Sequence, residues 1–305
     1  MPGRQTSEVH ATSVLLLVVA VIGVSMSGPL MAAAVAVPAL AMSLWRSGLG
    51  ALVLVPSGLT TSRQELRTLP RRDVVRSCFA GVMLACHFAT WTASLKYTSV
   101  ASATALVCLQ VAWVVVIARL SGARASGRVW RGLGLALAGV LVVSGVDLSI
   151  STRALTGDLL ALIGGVFAAV YVTVGSRVRE RTSTTTYALL CYTTSAVVLL
   201  LACAVGGVQV AGFSARSWLL IAAVTLASQI LGHSVFNYLL ATISPMVVSM
   251  TILLEVPGAA LLAGLFLGQA PPMAVYVGLG LILVGLALVV SARTRAGSLV
   301  EAPVD

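Results

Sequence analysis

One carboxylate, Glu255, stands in an otherwise apolar stretch, Ser244–Gly268, that reads SPMVVSMTILLEVPGAALLAGLFLG, two residues ahead of Pro257. At ~1.5 Å of rise per residue such a stretch crosses a hydrocarbon core of ~30 Å, with Glu255 near its middle. A charge at that depth costs at least ~2.5–3.5 kcal/mol, and Pro257 removes an amide donor from the helix as well. A carboxylate held there can meet a ligand's ammonium group or carry a proton. The blander reading is a structural carboxyl that stays protonated or pairs internally at the helix break. Arg46 poses the same question with the opposite sign: an anion-binding guanidinium, or a structural pair or snorkelling side chain.

The remaining polar groups at mid-membrane depth are His87, Gln110, Gln229, His233 and Asn237. A histidine can relay protons near neutral pH, but His87 and His233 also suit plain hydrogen bonds between helices. Gln110, Gln229 and Asn237 read as similar glue, or as lining of a cavity. Trp113 and Tyr171 lie deep enough to wall a pocket rather than anchor the interface. Pro257 and Gly258 combine a lost backbone bond with a flexible residue, which suggests a hinge. Gly264 and Gly268 form a GxxxG pair, and Gly132, Gly134 and Gly139 another small-residue face, both expected to pack helices closely.

These residues need long apolar elements to hold them. The chain has 305 residues, 59% hydrophobic and only 9% charged, with a mean hydropathy of +1.04, whereas about a quarter of a soluble domain is charged. Apolar runs recur throughout, and the expected class is an all-α polytopic membrane protein with ten transmembrane helices. The spans are placed at 13–34, 38–57, 74–95, 98–119, 129–147, 157–176, 186–206, 217–240, 244–267 and 273–292. With the N-terminus inside, fifteen Lys and Arg fall on the inner side, only Lys96, Arg153 and Arg216 fall outside, and Arg46 sits within a span. That bias is the positive-inside signal and puts both termini in the cytoplasm. The formal charge of +10 therefore reports topology and not nucleic-acid binding. The five cysteines all lie inside spans without metal-ligand spacing and read as free thiols. The first apolar run imitates a secretory signal peptide, but nine more spans follow, so it reads as an uncleaved helix.

The two halves are alike. A shift of 145 residues places Ser99 on Ser244 and Gln110 on Glu255, and a shift of 146 places Gly132, Gly134 and Gly139 on Gly278, Gly280 and Gly285. A five-helix unit crosses an odd number of times, so its second copy enters from the opposite side. This predicts two inverted five-helix repeats, 13–147 and 157–292, between a cytoplasmic N-terminal segment (1–12) and a cytoplasmic tail (293–305). Many secondary transporters share this plan, with a site near the midplane between halves.

Leu44-Trp45-Arg46, Lys96-Tyr97-Thr98-Ser99, Ser176-Arg177, Leu254-Glu255-Val256-Pro257 and the glycines of Gly278-Leu279-Gly280 through Gly285 resemble the EamA-type members of the drug/metabolite transporter superfamily. The resemblance spans residues 13–292. It implies ten helices, a central substrate cavity, and export or exchange of small metabolites or drugs. The first repeat carries Gln110-Val111-Ala112 where that family often has a proline.

The leading expectation is thus a secondary active transporter of the inner (plasma) membrane that works by alternating access without a cofactor or metal. Opposite charges at Arg46 and Glu255 suit a zwitterion such as an amino acid, with protons as a coupling ion. Export of cationic drugs or quaternary ammonium compounds, flipping of a lipid carrier, and a non-transport membrane scaffold are the alternatives. An intramembrane enzyme lacks its dyad: there is no HExxH motif, Asp147 and Asp158 sit at helix ends, and the adjacent His233 and Ser234 cannot face each other on a helix. No P-loop is present for ATP hydrolysis. The expected partners are a small-molecule substrate and the lipid bilayer, in a monomer or homodimer, with no nucleic acid.

Overall fold

The computed structural model describes residues 11–122, 126–239, 251 and 253–300, and their side chains except at 11, 148, 150, 233, 237, 238 and 292–300. Among the described residues every regular element is helical. They are α1 (Ala11–Ser25), α2 (Ser27–Ala33), α3 (Ala39–Thr60), α4 (Arg63–Thr68), α5 (Arg71–Ser94), α6 (Val100–Cys108), α7 (Gln110–Leu120), α8 (Gly127–Ile150), α9 (Thr152–Arg179), α10 (Thr184–Val205), α11 (Ala215–Val224), a π-helical segment Thr225–Ser234, α12 (Val235–Leu239), α13 (Glu255–Leu267) and α14 (Met273–Val300). Nine stretches among the described residues are long and apolar enough to cross a membrane, from Thr12–Ala33 to Met273–Ser291. Within the remaining expected span, 244–267, the structure shows the shorter apolar helix α13; residues 244–250 and 252 of that span lie outside the described residues.

Helix starts follow local chemistry. Ser99, Ser183 and Ser214 each cap a helix by accepting a backbone N–H three residues on, which satisfies an otherwise orphaned donor. Pro38 and Pro70 stand just before α3 and α5, where a missing N–H costs nothing.

The packing pairs one half of the chain with the other: α3 with α10, α5 with α9, α1 with the π segment, α6 with α13, and α8 with α14. Glycine sets the last pair. A Cβ on Gly132 would lie 2.6 Å from the carbonyl oxygen of Gly285, and one on Gly139 equally near that of Gly278. Because Gly132 meets Gly285 while Gly139 meets Gly278, α8 and α14 run in opposite directions. Gly134 and Gly280 meet nothing within 4 Å, so they do not share the close-packed face expected of them. The Gly264/Gly268 pair does not pack helices either. Gly268 ends α13 in the left-handed conformation (φ 63°) with open space around it, a glycine C-cap.

The halves also break at matching places. Leu109 N–H bonds to Leu106 O (3.3 Å) between α6 and α7, and 145 residues later Leu254 N–H bonds to Thr251 O (3.0 Å) ahead of α13. In both, a three-residue turn replaces a helical one just before Gln110 and Glu255. The first half does this without a proline. Gly165 supports the turn from α9, its Cβ position lying 3.1 Å from Val107 O.

Candidate functional site at the centre of the bundle

Arg46 projects from the middle of α3 into the interior, where it is 1% exposed. Its Nε donates to Gln229 Oε1 (2.9 Å), one terminal nitrogen to Ser228 Oγ (2.9 Å) and the other to Ser27 Oγ (3.4 Å). The guanidinium carbon lies 4.1 Å from the centroid of the Phe88 ring, within cation–π range. Three of five N–H donors are thus engaged by protein. The partners come from α2, α5 and the π segment, so residues far apart in sequence share the desolvation cost of one charge.

Local geometry explains the convergence. Gly50, one turn beyond Arg46, leaves room for Gln229: a Cβ there would lie 3.1 Å from Gln229 Cγ and 3.5 Å from Tyr192 Cδ2. The widened π turn carries Ser228 and Gln229 on consecutive residues that both reach Arg46, and π-helical insertions concentrate at functional sites. Gly23 lets α1 close on this turn, its Cβ position 2.5 Å from Ala227 O.

Glu255 opens α13 and is half-buried. Among the described residues its carboxylate has no hydrogen bond and no ion pair within 4.0 Å; the ion pair found is Arg76–Asp73 at 3.9 Å. Arg46 and Glu255 nevertheless act on each other's charge, and Glu255 also acts on Cys108. Arg46 and Glu255 lie within electrostatic reach of each other without an ion pair within 4.0 Å. Their positions are unequal: Arg46 is enclosed and bonded, whereas Glu255 is part-accessible and has no partner among the described residues.

His87 extends the layer. Its Nδ1 lies 3.0 Å from Gly164 O, its ring stacks on Trp91 (6.0 Å, 3°), and the Arg46 charge reaches it. Tyr171 stacks on Tyr187 (6.3 Å, 25°) in the apolar cluster that also holds Phe88 and Tyr192. Gln110 and Trp113 are half-buried on α7, and no side-chain contact joins them to Arg46. The side chains of His233 and Asn237 lie outside the described residues. Pro257 is exposed, and Gly258 abuts Ser25 so closely that a Cβ there would have to displace the serine side chain. Ser27, Ser228 and Phe88 carry no sequence signal of their own, since serine and phenylalanine are ordinary in apolar helices.

Toward one end of the bundle this layer is bordered by an apolar cluster. Met31, Met42, Trp91, Val100, Val107, Ile221, Ala259 and Ala263 form a continuous apolar cluster from both halves. Three polar ties cover it: Lys96 Nζ to Ala34 O (3.0 Å), Val100 N–H to Gln269 Oε1 (3.0 Å) and Trp45 Nε1 to Val210 O (2.7 Å). Burial pulls the Lys96 ammonium below its ordinary range. Asp147 and Asp158, read from sequence as helix-end residues, come together near this end and are both buried, with Thr98 Oγ1 donating to Asp147 at 3.2 Å. The opposite end is tied by Glu65 of α4, which accepts from Ser183 N–H (2.6 Å), Ser183 Oγ (2.5 Å) and Thr186 Oγ1 (2.6 Å).

The two halves of the bundle interlock around Arg46 and Glu255. The EamA-like transporter family model matches residues 11–145 and again residues 155–291. The chain belongs to the EamA-like transporter family. Its two EamA units divide the central layer, Arg46 and His87 coming from the first and Ser228, Gln229 and Glu255 from the second. A solved crystal structure is similar to this chain with a TM-score of 0.64 and 20% identity, over 94% of this chain and 98% of the other; that likeness bears on the fold. No curated protein matches the chain.

Proposed function

We propose that this EamA protein is a secondary active transporter of a small amine-bearing metabolite, an amino acid or similar zwitterion, and that Glu255 alternates between cargo and proton. The carrying observation is the asymmetry of the two buried ionisable groups. Arg46 is already held by Gln229, Ser228, Ser27 and Phe88, whereas the Glu255 carboxylate has no partner among the described residues. An ammonium group or a proton supplies what Glu255 lacks, and burial makes either exchange energetically large. Arg46 acts as the fixed countercharge, and its two unengaged donors are the place for a cargo carboxylate.

Alternating access rests on the ten-helix, inverted-repeat reading. Supporting it are the antiparallel run of α8 and α14, the matched turns before Gln110 and Glu255, and the pairing of α1 with the π segment, which has its counterpart in α9 with α5. The end that carries the apolar cluster and Lys96 is then the outer one, both termini are cytoplasmic, the membrane is the plasma membrane, and export or exchange starts from the inner side. Pro257 and Gly258 provide the hinge.

Metabolite profiling of cells with and without the protein identifies accumulating amines, and proteoliposome flux of those amines tests them. Removing the charge at Arg46 (Arg46→Gln) is expected to weaken zwitterionic cargo far more than purely cationic cargo. Equal loss for both classes would refute a carboxylate contact and favour quaternary ammonium export.

A further inference from the structure

At the arginine-rich end of the bundle, α5 and α9 leave a groove of about 260 Å³ lined by Val75, Arg76, Phe79, Val174 and Arg177. Its composition is divided. Val75 and Phe79 are exposed on α5, and the side chains of Arg76 and Arg177 border the same groove. Arg76 has a partner in Asp73, but the contact is 3.9 Å long and joins neighbouring turns of one helix, so it offsets little of the charge. Arg179 is directed away, donating to Thr184 Oγ1 at 3.2 Å.

We infer that this groove binds one anionic phospholipid, its phosphate between Arg76 and Arg177 and an acyl chain along Val75, Phe79 and Val174. Guanidinium forks match phosphate oxygens in a way a single ammonium does not. Basic pockets between membrane helices at a leaflet surface suit anionic head groups, each arginine adding attraction. A free anion would satisfy the arginines but leave the apolar wall uncovered, and a zwitterionic lipid would bring its own cation to the arginines. Because α5 lies in the first EamA unit and α9 in the second, the lipid would bridge the two units at one of their main contacts.

The test uses the full-length protein in nanodiscs of phosphatidylcholine with or without phosphatidylglycerol. Lipids retained after release are counted by native mass spectrometry. Wild type is expected to keep one phosphatidylglycerol in preference to phosphatidylcholine. Arg76→Gln/Arg177→Gln should lower that retention about tenfold or more while melting like wild type in phosphatidylcholine alone. Arg71→Gln/Arg72→Gln, with the same loss of charge outside the groove, should retain the lipid. If the first double variant does not fold, Arg177→Gln alone, at an exposed position, makes the same comparison. Three results overturn the inference: equal retention of both lipids, equal losses in the two double variants, or displacement of the lipid by inorganic phosphate.

Discussion

Arg46 Nε and Gln229 Oε1 are 2.9 Å apart, joined by a hydrogen bond that crosses from the first EamA unit to the second at mid-bundle. Gln229 is itself 1% exposed, so neither group has water as a substitute. Gln229→Ala strands a buried charged donor and is expected to cost about 1–3 kcal/mol, read as a lower melting temperature in detergent. In Gly50→Ala the new Cβ would lie 3.1 Å from Gln229 Cγ, so Gln229 must shift by a few tenths of an ångström, against a helix-propensity gain of about 1 kcal/mol. A Gln229→Ala protein as stable as wild type would mean that Gln229 is not held against Arg46 as described.

The glycines of α8 and α14 should separate sharply. In Gly285→Ala the new methyl would meet the backbone at Gly132 O (2.5 Å) and Ala136 N (2.6 Å), which cannot yield without moving a helix. A loss of about 1–3 kcal/mol is expected. Gly280→Ala meets nothing and should be neutral, or stabilising by up to about 1 kcal/mol through helix propensity. Thermal unfolding of the two variants checks the contrast.

Glu65 gives the fold a pH dependence at its other end. Partial burial works to raise the pKa of this carboxyl, but hydrogen bonds from the Ser183 hydroxyl, the Thr186 hydroxyl and the Ser183 N–H prevail, leaving it below the ordinary 4.5. A carboxyl depressed in the folded state stabilises at pH values above its unfolded pKa, and that contribution fades as the pH falls through the folded value. Wild type should therefore melt above Glu65→Gln at pH 7, and the gap should close below the ordinary carboxylate range. A gap that persists or widens in acid would contradict the assignment.

The start of α6 is tied to the second half by Gln269, which accepts from Val100 N–H at 3.0 Å and reaches it because Gly268 turns the chain at φ 63°. Gln269→Ala should loosen the start of α6 by about 1 kcal/mol. The expected reading is roughly fivefold faster hydrogen exchange at Val100 with little change in the core of α10.

Much of this arrangement is legible in the sequence because membrane burial penalises polar groups. Arg46, His87, Gln229 and Glu255 stand out by type alone, and the 145-residue shift anticipates the turn shared by Leu109 and Leu254. Which of them touch is not legible. Gln229 reads as generic glue because a regular helix, and not a π-helical turn, sets the expected direction of its side chain. Gly264 and Gly268 match a packing motif, yet the motif cannot reveal that the helix ends there and that Gly268 is its cap. Asp147 and Asp158 look like separate helix ends until the α8–α9 corner folds them together.

The role of Glu255 is tested most directly by gradient-driven flux. Wild type and Glu255→Gln are reconstituted at equal density in proteoliposomes, and uptake of labelled amine-bearing metabolites is followed with and without an imposed proton gradient. The carboxamide keeps the shape of the side chain and removes both its charge and its exchangeable proton. Gradient-driven uptake by wild type and none by Glu255→Gln is the expected result; equal uptake by both would contradict the assignment of Glu255 as the group that meets cargo and proton.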